Sequence, residues 1–296
     1  MNTAEMTAKI AAGKGFIAAL DQSGGSTPKA LAGYGIEASA WRDEAGMYSL
    51  IHEMRSRIIR SGVFNGDKVL GASLFERTMD GSVDGTPVST VLIAKGIVPF
   101  IKIDKGLEDE ANGVQLMKPM PELDALLVRS KALGVYGTKE RSVINSADAA
   151  GIAAIVTQQF EVGRQVLAHG MMPMLEPEIN IKSATRAACD TILLAELTKA
   201  LDGMDQQVML KLSLPVVPGT FDALTSHPKV LRVVALSGGY QRPEACAELA
   251  KNKGIIASFS RALLEDLRVQ MSDAEFDAAL GSAIDAIYTG STVKTG

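Results

Sequence analysis

Lys211 stands in the middle of QVMLKLSLP, an otherwise apolar run of strand length. A lysine amine can attack a ketone and form an iminium, an electron sink that lets a neighbouring carbon–carbon bond break. It must first lose its proton. At the reference pKa of about 10.4, only about one lysine in 2,500 is neutral at pH 7. Such chemistry needs a second cation to repel the ammonium and carboxyl groups to carry the proton.

Groups of those types recur late in other apolar runs. MPMLEPEI carries Glu176 and Glu178, FIKIDKG carries Lys102 and Asp104, YGTKER carries Lys139 and Arg141, and IAALDQSGGS ends its apolar stretch at Asp21. Side chains two apart in a strand share a face, so each pair points the same way. In VMLKLSL the residues Val208, Leu210, Leu212 and Leu214 form an aliphatic outer face, leaving Lys211 inside with Met209 and Ser213. Asp21, Asp104, Glu176 and Glu178 balance Lys102, Lys139, Arg141 and Lys211, as a partly dry site requires. Any one of the eight alone reads as a structural ion pair; their convergence points to a site. A second ammonium about 5 Å away contributes roughly 3 kcal/mol of repulsion at an effective dielectric of about 20, and Lys139 is the candidate. Glu176 and Glu178 are the candidate proton carriers. The three histidines (His52, His169 and His227) fall in helical or connecting stretches and read as surface or packing residues.

The elements that must position these groups follow from the pattern. Short apolar runs appear in the order GFIAAL, VLGASLF, VPFIKI, GVYGTK, MPMLEP, VMLKLSL, RVVALSGG and GIIASFS. Helical patterns separate most of them: residues 37–59, 149–168, 185–201 and 242–252. In the second of these, Ile155, Val162 and Val166 line one face. Strands alternating with helices make βα units around a parallel sheet. Eight strands with no glycine-rich dinucleotide fingerprint after the first predict a (β/α)8 barrel of the TIM type, α/β in class. A single domain over 1–296 is expected, with the active site at the C-terminal strand ends.

Loops there carry anion signals. Ser237, Gly238 and Gly239 follow the seventh run, while Ser260 and Arg261 end the eighth and open a helical pattern. Loops after strands seven and eight commonly cradle phosphate through backbone N–H groups, and Arg261 adds a fork of donors. DQSGGSTPK offers Ser23, Gly24, Gly25, Ser26 and Lys29 as a second anion loop, with Lys102 to assist. Two anion sites flanking an amine imply a substrate phosphorylated at both ends.

Composition excludes other classes. A net charge of −4 over 296 residues gives no footprint for nucleic acid or an anionic membrane. The N-terminus lacks a signal-peptide pattern and no apolar run reaches membrane-span length. Cys189 and Cys246 have no paired spacing, so neither a disulfide framework nor a zinc site is expected, and the cytoplasm is the expected compartment.

With these residues in hand, the chain resembles the class I, Schiff-base fructose-bisphosphate aldolases. AALDQSGGS, IKIDKG, TKERSVI, LEPEI, MLKLSLP, LSGG and SFSRAL occur in the family's order over nearly the whole length. The resemblance implies that Lys211 forms the Schiff base and Glu176 is the main acid/base group, with Glu178 and Lys139 beside it. Asp21 would take or position the C4 hydroxyl proton. It implies that Ser237, Gly238, Gly239, Ser260 and Arg261 hold one phosphate, and that Ser23, Ser26, Lys102 and Arg141 hold the other end of the sugar. The implied products are dihydroxyacetone phosphate and glyceraldehyde 3-phosphate, in glycolysis or gluconeogenesis. No cofactor or metal is implied; a homodimer or homotetramer is. Departures from the animal pattern suggest a bacterial branch. Lys139-Glu140-Arg141 stands for Lys-Trp-Arg, Lys29-Ala30 for Lys-Arg, and Phe259-Ser260 for Tyr-Gly. The chain stops at YTGSTVKTG without the animal tail's terminal tyrosine, and Tyr288 aligns with an internal one. Two rivals remain: another Schiff-base sugar-phosphate aldolase (tagatose-bisphosphate or transaldolase-like), and a barrel that binds sugar phosphate without catalysis.

Overall fold

Each of the eight apolar runs forms a strand in the computed structural model, which describes residues 1–295. The strands are β1 (Phe16–Leu20), β2 (Val69–Leu74), β3 (Val98–Lys102), β4 (Gly137–Ile144), β5 (Met172–Ile179), β6 (Val208–Ser213), β7 (Val230–Leu236) and β8 (Ile256–Phe259). Each pairs in parallel with the next. Ile17 and Ala18 of β1 pair with Ser258 and Phe259 of β8 and close the barrel. A short antiparallel strand, Val114–Gln115, lies against the end of β4.

The strand alternation sorts the core into two layers. Outward side chains such as Leu210, Leu212 and Leu214 join the large cluster shared with the surrounding helices. Inward side chains form a second cluster that includes Ile17, Leu70, Phe100, Met174, Met209 and Val234. Small and large residues interlock there: a Cβ on Gly71 would come 3.0 Å from the Phe100 ring, and one on Gly137 would come 2.9 Å from it. The helix Thr3–Ala12, closed by an Asn2–Glu5 capping box, buries Met6 and Ile10 against this inner cluster. The N-x-x-E spacing of Asn2 and Glu5 is its sequence signal.

Three of the four sequence-read helices form within two residues of their expected bounds, as Ala149–Ala168, Arg186–Asp202 and Arg242–Ala250. The first is shorter than expected. It runs over Glu44–Arg60 because Asp43 caps it, accepting from the Gly46 amide, whereas Ala38–Ala40 is a single 3₁₀ turn. A capping carboxylate that satisfies a free N–H sets the boundary more strongly than apolar periodicity does. Both cysteines are free. Among the described residues no helix is long and apolar enough to cross a membrane.

Candidate active site

One step above the inner apolar cluster the inward positions become charged. In β6 the sequence runs from Met209 to Lys211, in β5 from Met174 to Glu176, and in β3 from Phe100 to Lys102. Lys211 Nζ lies 3.0 Å from Glu176 Oε1. The other oxygen, Glu176 Oε2, lies 2.9 Å from Lys139 Nζ, which is itself 2.9 Å from Asp21 Oδ2. A chain of alternating charge therefore links Lys211, Glu176, Lys139 and Asp21, all buried. These contacts act chiefly as ion pairs. Asp21 Oδ2 and Glu176 Oε2 accept no well-aligned hydrogen bond, and both lie against the Lys139 ammonium.

The local backbone makes room for this cluster. Strands β5 and β6 pair only at Met174–Met209 and Leu175–Leu210. Beyond that point side chains replace the ladder. Gln159 accepts from the Glu176 amide, and Ser213 Oγ bonds both the amide and the carbonyl of Ile179. The seam opens where Glu176 and Lys211 face each other.

Toward the mouth, Lys102 Nζ donates to Asp104 Oδ1 at 2.6 Å, and Asp104 Oδ2 accepts from the Arg141 amide. Arg141 donates to Glu178, so Glu178 serves the rim and Glu176 the interior. After β7, Gly238 and Gly239 adopt positive φ of 61° and 120°. A Cβ on Gly239 would come 3.3 Å from the Arg261 guanidinium, which places the β7 and β8 loops side by side. Ser26 Oγ bonds the amide and carbonyl of Ser23 and shapes the turn after β1. The fourteen residues to which the sequence assigns catalysis or phosphate binding, with Asp104 and the loop residues Gly24, Gly25 and Lys29, line one cavity of about 1100 Å³.

The sequence model described as class-I fructose-bisphosphate aldolase matches residues 2–221 of the chain. The chain belongs to this family. The matched span includes β1 to β6 and stops short of β7 and β8, so the loops of Ser237–Gly239 and Ser260–Arg261 lie beyond it. Solved aldolases share the architecture. A fructose-bisphosphate aldolase from Plasmodium falciparum aligns over 99% of this chain and 96% of its own, at 20% identity and a TM-score of 0.79. An archaeal fructose 1,6-bisphosphate aldolase aligns over 97% and 99%, at 14% identity and a TM-score of 0.56. A Schiff base forming fructose-1,6-bisphosphate aldolase aligns over 96% and 100%, at 14% identity and a TM-score of 0.54. At these identities the likeness speaks for the fold.

The electrostatics of this aldolase cavity follow from burial and charge. Burial works to raise the Asp21 and Glu176 pKa values, but Lys139 and Lys211 outweigh it and hold both carboxyls below their ordinary range. Burial disfavours the Lys139 ammonium, yet Asp21, Glu176 and Asp104 together push its pKa up. For Lys102 burial prevails over Asp104 and the pKa falls. The Glu176 carboxylate lies between the Lys139 and Lys211 ammoniums and contacts both.

Three groups in or behind this site escaped sequence reasoning. Gln22 follows Asp21 and, being uncharged, gives no charge signal of its own. Arg55 lies in the helix Glu44–Arg60, where its charge gives no sign of burial, yet it is fully buried. Glu140 alternates with Lys139 and Arg141 and therefore faces outward, where it is fully buried, with Thr138 Oγ1 3.4 Å from Oε2 and no partner on Oε1. Its pKa is pushed well above the carboxylate range by burial and the charge of Asp104. The three histidines bond Ser82, Asp124 and Asp202 outside the cavity. Tyr288 lies in the C-terminal helix Asp273–Thr292 with Lys68 over its ring.

Proposed function

We propose that this class I aldolase cleaves fructose 1,6-bisphosphate reversibly to dihydroxyacetone phosphate and glyceraldehyde 3-phosphate, with Lys211 as the imine-forming amine. The observation that carries the reading is the buried Lys211 amine 3.0 Å from a carboxylate held in its ionised form. Glu176 takes a proton from Lys211, and the amine adds to the C2 carbonyl. The same carboxyl then protonates the carbinolamine hydroxyl, which leaves as water and yields the iminium. Asp21 accepts the C4 hydroxyl proton, the C3–C4 electron pair moves into the iminium, and the aldehyde departs. The proton on Asp21 returns through Lys139, which gives one proton to Glu176 as it takes one from Asp21. Glu176 then protonates the enamine at C3, and hydrolysis of the resulting iminium releases the ketone.

Lys139 keeps Glu176 and Asp21 charged, and Glu178 aims Arg141. One phosphate is assigned to Ser237, Gly238, Gly239, Ser260 and Arg261, and the other end of the sugar to Ser23, Ser26, Lys102 and Arg141. Ser26 contributes mainly by shaping its turn, since its hydroxyl is already engaged. The chain is read as a cytoplasmic homodimer or homotetramer of glycolysis or gluconeogenesis. Its free cysteines suit a reducing compartment, and light scattering measures the assembly.

Borohydride reduction with dihydroxyacetone phosphate, followed by peptide mapping, tests the chemistry. The expected result is one stable adduct on Lys211. An adduct elsewhere, or none, removes the assignment. Turnover is expected to withstand EDTA; loss on chelation with recovery on zinc would reassign the class.

A further inference from the structure

Gln22 immediately follows Asp21, and every polar atom of its amide is engaged. Nε2 donates to Ala19 O at 3.0 Å and to Ser260 Oγ at 2.5 Å, while Oε1 accepts from Arg55 Nη2 at 3.2 Å. These partners fix the amide's orientation, since the reverse would set its oxygen against the Ala19 carbonyl. Arg55 also donates to the Gln22 carbonyl at 2.5 Å and to Thr78 Oγ1 at 2.8 Å.

Arg55 is fully buried, and among the described residues no carboxylate lies within ion-pair distance of it. Burial lowers its pKa to about 10, opposed chiefly by the charge of Asp21. A buried cation without a direct counter-ion is costly to keep, and here it grips both the backbone and the side chain of one residue. The grip holds the Gln22–Ser23 peptide and the Gln22 side chain, and so anchors the residue to which Asp21 is joined. Gln22 then reaches across to Ser260, which precedes the Arg261 that lies against Gly239. One side chain thus spans the turn that carries Asp21 and the loops assigned to phosphate.

We propose that Gln22, clamped by Arg55, is a positioning residue that couples the placement of Asp21 to the phosphate loop at Ser260. The coupling rests on the aldolase reading above. It makes bond cleavage depend on a correctly seated phosphate, because displacement of Ser260 loosens the support of Asp21.

The test compares Gln22→Met, Ser260→Ala, the double variant and Arg55→Lys, with fructose 1,6-bisphosphate turnover and borohydride trapping of dihydroxyacetone phosphate measured in each. Gln22→Met is expected to melt near the wild type and to be trapped fully on Lys211 at saturating ketone. Its KM is expected to rise about tenfold and its kcat to fall about tenfold, with effects that overlap those of Ser260→Ala in the double variant. Arg55→Lys, which keeps the charge and loses the fork, is expected to show the same kcat loss. Kinetics of Gln22→Met within about twofold of wild type, or effects that multiply independently with those of Ser260→Ala, would overturn the coupling. Should Arg55→Lys fail to fold, the glutamine series decides. Loss of trapping on Lys211 in the unmodified enzyme strikes the aldolase reading itself, whereas intact trapping with independent effects strikes the coupling alone.

Discussion

Glu176 carries an ammonium on each carboxylate oxygen, and this shared position gives the residue its proposed power. Lys211→Met keeps the side-chain volume and removes the amine, and Lys139 still neutralises Glu176. The fold is expected to persist while turnover and borohydride labelling drop to background. Activity near wild type would remove Lys211 from the chemistry. Glu176→Gln keeps the shape and removes the proton acceptor, so kcat is expected to fall by about 10² to 10⁴ with little change in KM. Glu140 makes a prediction about stability. Between about pH 4.3, where an unfolded glutamate ionises, and the higher pH at which Glu140 ionises in the folded chain, the native state holds one extra proton. Stability falls as pH rises through that window, by about 1.4 kcal/mol per unit. Glu140→Gln removes this penalty and should raise the melting temperature more at pH 8 than at pH 5. An equal gain at both would show that Glu140 ionises ordinarily. Asp21 and Glu176 act in the opposite sense. Their folded pKa values lie below the unfolded ones, so their stabilisation is present above about pH 4 and is lost as pH falls further.

At the scale of elements, strand parity delivers the inward charges and loop backbone shapes the proposed phosphate seat. Gly238 shows what the β7 loop demands. Its φ of 61° suits glycine, and an added Cβ would come 2.6 Å from Ile181 Cγ2. Gly238→Ala is therefore expected to cost about 1 kcal/mol or more and to raise KM for the bisphosphate. Trapping at saturating ketone should survive. An unchanged KM would detach this loop from substrate binding. The opened β5–β6 seam is a second device. Gln159 and Ser213 supply the hydrogen bonds that the ladder gives up, so the strands separate without leaving those amides unpaired.

At the scale of the molecule, the cavity and the surface carry opposite charge. Eight basic and five acidic side chains line the cavity, a net of three positive, in a chain with a formal charge of −4. A cleft of this sign concentrates an anionic substrate. Raising ionic strength from about 0.01 to about 1 M shortens the Debye length from about 30 to about 3 Å. KM is expected to rise several-fold over that range while kcat changes less, because the buried ion pairs are screened least. A salt-independent KM would mean that the field at the mouth does not guide binding.

The order of the eight strands, the barrel they close, and the inward placement of Lys211, Glu176, Lys139 and Lys102 were legible in the sequence. All of these follow from local periodicity: a pleated strand fixes the facing of every second residue whatever surrounds it. Gly238 and Gly239 were legible for a different reason, as the residues that a tight loop after a strand calls for. Which charges meet was decided only by tertiary structure. That Glu176 lies against two lysines while Glu178 turns to Arg141, that Arg55 sits beneath Gln22, and that Glu140 is buried behind the site all depend on barrel closure. Closure brings together segments from distant parts of the chain, and it sets the distances and burial on which pairing and pKa depend. A pattern of spacing can point a side chain inward, but its partner is chosen by the packing of the whole barrel.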